Sequence, residues 1–415
     1  MPQRHAKAGE KRYDIVLVGA TGYVGALIAD YMVGAFGDNK VRWAMAGRNA
    51  AKLDGVKASL GERGARIATI VVDTSDAKAC EALAADTKVI LTTVGPYAKF
   101  GSELVAACAR AGTDYCDLTG ETPWIQKMID AHQAEAEASG ARIVHCCGFD
   151  SIPSDLGVLF LNEEVKKRTG APCTAIRMRV KSMKGGASGG TIASMMNIVE
   201  EATRDANVRR VLSNPYALNP KGERQGVRQP GAVPVAYDND AKSWTAPFVM
   251  AAINTRIVHR SNAVMNYAYG RDFKYDEAMM TGGGLLGSPT ALAVAGAMGT
   301  FGLAAAFGPT RSLLNRFVLP KAGDGPTAEQ RESGNYDLLF IGTAKDGRIF
   351  KARVTGDKDP GYGSTAKMIS QAALCLSETD HDTVGGGVWT PASALGQRLI
   401  PRLIENAGLT FEMVE

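Results

Sequence analysis

Along the first 150 positions, short apolar blocks alternate with amphipathic stretches, which predicts strands and helices in regular succession. Residues 14–18 form an apolar run closed by glycine, the mark of a buried strand, and a helix follows over 22–36, closed by Gly37-Asp38-Asn39. Further strands are predicted at 41–46, 68–72, 89–94, 114–116 and 142–146. Helices are predicted between them at 52–60, 77–85, 102–111 and 124–139, with Gly112 as a left-handed stop. Such alternation predicts an α/β fold, a doubly wound parallel sheet of about six strands with right-handed crossovers and helices on both faces.

Past residue 150 the rhythm changes. Residues 176–183 alternate polar and apolar side chains, as a half-exposed strand does. Residues 188–201 read as a helix opening on Ser188-Gly189-Gly190-Thr191, and 214–247, rich in Pro, Asn and Gly, as irregular loops. Residues 336–343 and 348–355 predict a hairpin across Ala344-Lys345-Asp346-Gly347. The helix 365–376 and the tail 392–405 are expected to pack back on the first domain. The division that follows is a disordered arm 1–12, an α/β domain 13–155, an α+β domain 156–355 and C-terminal helices 356–415.

Residues 278–310 stand apart, because they carry no charged side chain. Their length permits a membrane span, but their Ala- and Gly-rich composition favours a helix buried in the protein or lining an apolar site. A surface touching lipid or a partner protein is the other reading. Self-association is expected, since so long an apolar segment needs cover.

A chain of 415 residues suits two domains. Its hydrophobic fraction of 45% and charged fraction of 22% are those of a globular protein. The net charge of +4, spread along the chain, gives no support for nucleic-acid binding. Seven cysteines without CxxC spacing predict reduced thiols and a cytoplasmic location, and residues 1–12 lack the apolar core of a signal peptide. Five scattered histidines make a metal site unexpected, and no GxSxG, HExxH or P-loop lysine occurs.

The chemistry lies in the loops that follow the first strands. Gly19-Ala20-Thr21-Gly22-Tyr23-Val24-Gly25 joins a strand to a helix. There Gly19 permits a tight turn, Gly22 lets the backbone approach a diphosphate, and Gly25 lets helix and strand pack closely. This is a Rossmann-type dinucleotide loop, spaced GxxGxxG and not GxGxxG. A ligand-free tight turn is the alternative. After the second strand, an NAD site places an acid on the ribose 2′-hydroxyl. Here Gly47 holds that position and Arg48 follows, with Lys52 in reach, so NADP(H) is predicted over NAD(H). The plainer reading makes Arg48 a solvated loop residue. Asp73 either meets the adenine or caps the next helix.

Val94-Gly95-Pro96-Tyr97 ends the fourth strand, where the nicotinamide half belongs. Tyr97 is a candidate proton donor or substrate contact, or else a structural tyrosine. The loops 115–121 and 145–155 reach the same edge and bring Cys147 and Gly148 to the cofactor cleft. They also carry the carboxyls Asp117, Glu121, Asp150 and Asp155. The plain alternative for these groups is a helix start, with Ser151 and Ser154 preceding a helical run as caps and Asp155 suiting its first turn.

The motifs GATGYVG, AGR, VGPY, YCDLTGE, CGFDSIPSD, SGGT and the run Gly386–Ala392 resemble the saccharopine dehydrogenase-like oxidoreductases. They are most similar to the branch holding the mycobacterial trans-acting enoyl reductases. The resemblance spans nearly the whole chain. It implies a Rossmann domain, an α+β domain and a returning C-terminus. It further implies NADPH-dependent reduction of an α,β-unsaturated acyl thioester presented by a polyketide synthase carrier domain in lipid assembly. Tyr97 or Asp150 is then the expected acid. It also implies a lipid-like substrate, fitting the apolar 278–310, and peripheral membrane contact as in membrane- or lipid-droplet-associated relatives. An amino-acid C=N oxidoreductase, or a non-enzymatic nucleotide-binding docking protein, are the rival readings.

Overall fold

The structure is a computed structural model that describes residues 11–36, 41–185, 189–231, 233, 235–317 and 325–415. The arm through Glu10, the stop at Gly37-Asp38-Asn39 and the predicted helix opening at Ser188 lie outside the described residues. Lys11 belongs to the fold, because its ammonium donates to Ala84 O (3.0 Å) and to Thr113 Oγ1 (2.6 Å).

The strands that the apolar blocks predict are β1 (Tyr13–Val18), β2 (Trp43–Gly47), β3 (Ala68–Val71), β4 (Thr87–Thr92), β5 (Asp114–Asp117) and β6 (Arg142–Val144). The second half supplies β7 (Ala175–Lys184), β8 (Ala236–Asp238), β9 (Ser243–Pro247), β10 (Lys274–Gly282), β11 (Asn335–Thr343) and β12 (Ile349–Gly356). It closes with β13 (Gly387–Trp389) and β14 (Leu409–Val414).

The first sheet has the order β13-β6-β5-β4-β1-β2-β3, and every pair in it is parallel. Alternate residues of β1 feed cores on opposite faces. Ile15 and Leu17 pack with Ile28, Met32 and Leu91, whereas Val16 and Val18 pack with Ile90, Val105 and Ile143. Full burial of each such side chain is worth about 1.5–3 kcal/mol. The chain leaves β1 towards β2 and β3, then returns to β4 on the other side. The sheet reverses between β1 and β4, and in open α/β sheets that switch point is where ligands bind. Val18 pairs with both Ala46 and Thr92, so the loops after β1, β2 and β4 leave one edge together.

The second sheet has the order β14-β12-β11-β7-β10-β9-β8, with only β7 and β10 parallel. The hairpin β11–β12 turns at residues 344–347, with Gly347 at φ +86°. The helix Ile152–Thr169 packs on this sheet so closely that a Cβ on Gly157 would lie 2.3 Å from Phe340 Cζ.

Three expectations are corrected here. The return of the C-terminus is not purely helical: β13 adds a seventh strand beside β6, and β14 joins the second sheet beside β12. Within 214–247, residues 236–247 form the β8–β9 hairpin. The apolar segment 278–310 is not a buried helix. Residues 278–282 end β10, and in the helix Gly287–Ala306 only Gly287, Ala291 and Ala305 are buried. Leu285 is 98% exposed, Leu303 76% and Phe307 63%. It is long and apolar enough to cross a membrane, yet one side lies on β9 and β10.

Candidate active site

The glycine loop is shaped by contacts that allow no side chain. Gly19 has φ +91°, and a Cβ there would lie 2.6 Å from Thr93 Oγ1. A Cβ on Gly25 would sit 2.1 Å from Gly19 O. Ala20 is buried beneath the turn, and Thr21 and Val24 are half-buried at its sides. Gly22 caps the helix Tyr23–Ala35 without a side-chain hydrogen bond, and no acid stands in the first turn. The first amides of that helix therefore lack side-chain acceptors, and the helix dipole adds positive potential. This cradle fits a dinucleotide diphosphate.

Arg48 lies exposed past β2 with no hydrogen-bond or ion-pair partner among the described residues. Lys52 is exposed in the next helix, and its amide donates to Asn49 Oδ1 at 3.0 Å. Asp73 is also exposed, past β3. Its carboxylate accepts Ser75 N (3.0 Å) and Ser75 Oγ (2.8 Å), and these bonds, helped by Arg48, hold it below the usual carboxylate range. Asp73 does not cap the helix Ala77–Ala85. Asp76 does, accepting the amides of Lys78 (2.9 Å) and Ala79 (3.3 Å). Arg48 and Lys52 thus stand exposed past β2, with cationic heads that have no hydrogen-bond or ion-pair partner among the described residues and whose chemistry suits a 2′-phosphate.

At the end of β4, Val94 N donates to Thr92 Oγ1 (3.2 Å), and the Gly95–Pro96 peptide is cis. Tyr97 is buried. Its hydroxyl donates to Thr92 O (3.2 Å) and accepts from Leu118 N (3.1 Å), while its ring lies 5.6 Å from that of Trp124. Burial and the charge of Asp117 push the phenol well above its ordinary value. Its one proton is committed to a carbonyl, which makes Tyr97 a poor donor to substrate.

The four loop carboxyls separate by partner. Glu121 accepts the amides of Tyr97 (2.8 Å) and Ala98 (2.9 Å) and the hydroxyl of Ser194 (2.7 Å). Asp117, fully buried, binds His145 Nδ1 (2.7 Å), Tyr115 Oη (3.0 Å), Cys146 N (3.0 Å) and Thr119 N (3.1 Å). Asp155 accepts Ser261 Oγ (2.6 Å) and Ala392 N (2.8 Å), joining three segments far apart in sequence. Asp155 stands in the first turn of the helix Ile152–Thr169, as expected, but the N-cap residue Ser151 makes no capping bond and points its Oγ to Asn254 Oδ1. Asp150 alone of the four has no hydrogen-bond partner among the described residues. It is half-buried, and burial followed by the charge of Asp117 pushes its carboxyl up to about 7.

The loop carrying Asp150 is firmly held. Cys146 takes φ +63°, and Cys147 N donates to Asp117 O at 2.7 Å. Gly148 is wedged so that a Cβ would lie 2.7 Å from Leu118 Cδ2, and Phe149 N donates to Thr365 Oγ1 at 3.0 Å. Sequence reading missed Thr365 and the Asp117–His145 brace. The Thr365 contact joins residues 216 positions apart, which no local pattern marks. All seven cysteines are free and buried, and burial raises the Cys146 and Cys147 thiols well above their ordinary value, so neither is a ready nucleophile. No group of three or more metal-ligating side chains occurs among the described residues.

A doubly wound parallel sheet with this loop at its switch point defines a nicotinamide-dinucleotide oxidoreductase. Residues 15–144 match the saccharopine dehydrogenase NADP binding domain, and the cofactor is NADP(H). A protein of Mycobacterium tuberculosis named trans-acting enoyl reductase is 40% identical, covering 95% of this chain and 96% of its own length. Its namesake in Mycobacterium leprae is 39% identical, covering 97% and 98%. Apo saccharopine dehydrogenase (L-Glu forming) from Saccharomyces cerevisiae shares the fold, with a TM-score of 0.51 at 12% identity over 97% of this chain and 100% of that one. The chain belongs to the saccharopine dehydrogenase-like oxidoreductases, in the branch of the mycobacterial trans-acting enoyl reductases.

Proposed function

We propose that this protein reduces the C=C bond of an α,β-unsaturated acyl thioester with NADPH. The observation that carries the reading is Asp150, an unpartnered, half-buried carboxyl with its proton affinity raised to about 7, on a rigid loop at the cofactor edge. The names of its relatives support the reaction type. When bound, the cofactor supplies a hydride, which goes to the β-carbon. The helix amides and Arg48 hold the diphosphate and the 2′-phosphate. Tyr97 and its neighbours wall the site, and Asp150 gives its proton to the α-carbon, then refills from solvent. An acid titrating near 7 is matched to that transfer at neutral pH.

The substrate is a long apolar chain delivered by a polyketide synthase carrier domain in lipid assembly. The enzyme works in the cytoplasm at a membrane face, with the helix Gly287–Ala306 turned to lipid. The exposed Leu285, Leu286, Leu303 and Phe307 support that orientation. A second copy of the chain is the alternative cover for this face. The test is NADPH oxidation with enoyl thioesters of increasing length, beside cyclic imines and amino acids. Turnover of thioesters that rises with chain length is expected. Turnover of imines alone would place the chain with the amino-acid oxidoreductases instead.

A further inference from the structure

The second domain reaches the glycine loop through Tyr23, the first residue of the helix that follows it. Gly325 lies flat on the tyrosine ring, where a Cβ would come within 2.3 Å of Cε1 and Cζ. The Tyr23 hydroxyl donates to Pro326 O, and Arg331 Nη1 donates to both the Tyr23 hydroxyl and Pro326 O. The guanidinium carbon stands 5.7 Å from the ring centroid. Tyr362 packs edge-on against the same ring at 5.0 Å, and its hydroxyl accepts Gly189 N at 3.0 Å. Two segments, 325–331 and the turn carrying Tyr362, thus close on the residue that opens the cofactor helix, and Gly189 braces the second of them.

Arg331 is oddly placed for a purely structural cation. The amino end of a helix repels positive charge. No carboxylate forms a salt bridge with Arg331 among the described residues, although its charge favours the ionised form of the nearby Glu332 and Asp359 carboxyls. Glu332 is bound to Lys358, and Asp359 accepts the amides of Tyr362 (3.0 Å) and Gly363 (2.8 Å). Among the described residues only Nη1 of the guanidinium is engaged, which leaves Nε and Nη2 without a partner there, in a fork that matches phosphate oxygens. A dianion between this fork and the helix amides would turn the repulsion into attraction on both sides.

We propose that Arg331 is a cofactor-binding residue that grips the diphosphate of NADP(H) from the second domain, with the strap 325–331 clasped on Tyr23 to hold it there. The inference rests on the cofactor site described above and not on the identity of the substrate. The diphosphate is common to NADPH and NADH, whereas the 2′-phosphate is not, so Arg331 and Arg48 make separable predictions. The experiment is fluorescence titration of the purified full-length protein with NADPH and with NADH, for wild type, R331M, R331K and R48A, with thermal melts of each. R331M should weaken both nucleotides by a common factor of about 10 to 100, the scale of one charge-assisted contact. R331K should recover part of that loss, and both should still melt as folded proteins, R331M slightly below the wild type because its bonds to Tyr23 and Pro326 are gone. R48A should weaken NADPH alone. An R331M protein that binds both nucleotides normally overturns the proposal. So does one that loses only NADPH, since Arg331 would then serve the 2′-phosphate. Failure of the wild type to bind either nucleotide would instead sink the cofactor site itself.

Discussion

Asp150→Asn is expected to make the protein more stable and less active at once. Moving a carboxyl from 3.8 to about 7 corresponds to roughly 4 kcal/mol of preference for the neutral form. The side chain keeps some contact with water, so about 2 kcal/mol is the working figure after screening. The folded-state value lies above the unfolded one. The neutral carboxyl is therefore fully tolerated below about pH 4, and stability is lost as pH rises through 7. Asparagine removes the titration while keeping the shape. D150N should melt with the wild type near pH 4 and a few degrees above it at pH 8, as about 2 kcal/mol implies for a chain of this size. Turnover should fall by a factor of about 10² or more if Asp150 supplies the proton. The assays are thermal melts across pH and NADPH oxidation with an enoyl thioester. A variant that melts below the wild type at pH 8, or that keeps wild-type turnover, would refute the reasoning.

Other consequences follow from the same geometry. Arg48→Ala should leave the melting temperature nearly unchanged, because the side chain has no hydrogen-bond or ion-pair partner among the described residues, while raising the Kd for NADPH about 10- to 100-fold and sparing NADH; equal losses for both nucleotides would remove the 2′-phosphate assignment. Asp155→Ala strands Ala392 N in the interior, while Ser261 Oγ keeps Ile257 O and Thr390 Oγ1, so chemical denaturation should show a loss of about 1–3 kcal/mol; no loss would mean water replaces the carboxylate. The wild type should float with anionic liposomes, and a Leu292→Glu, Leu303→Glu double variant should stay in the soluble fraction. Light scattering that shows the double variant breaking a dimer, with no flotation by the wild type, would assign this face to a second copy.

The α/β half was legible because buried parallel strands write themselves as apolar blocks, and because Gly19 and Gly25 are required by contacts of 2.6 and 2.1 Å that only glycine permits. What escaped was set by distant partners. Three consecutive residues decide that β13 joins β6, and their hydropathy alone does not say which sheet they enter. Asp73 and Asp76 are equivalent in a propensity argument, and only backbone geometry selects Asp76 as the cap. The apolar run 278–310 read as buried because composition counts apolar atoms and not the cover available to them. The four loop carboxyls were equal candidates in sequence. Hydrogen bonds from residues up to 237 positions away removed Asp117, Glu121 and Asp155 from the contest and left Asp150. Arg331 carries no motif, and its place on Tyr23 emerges only when the second domain folds over the first.

The central claim is tested most directly by single-turnover reduction of a long-chain enoyl thioester with NADPH in deuterium oxide, for wild type and D150N. The account predicts one deuterium at the α-carbon and none at the β-carbon of the wild-type product. It also predicts a wild-type rate that falls above pH 7 as Asp150 ionises, and a D150N rate that is low and flat with pH. Full wild-type binding of NADPH with no reduction of any enoyl thioester, or a D150N profile matching the wild type, would contradict it.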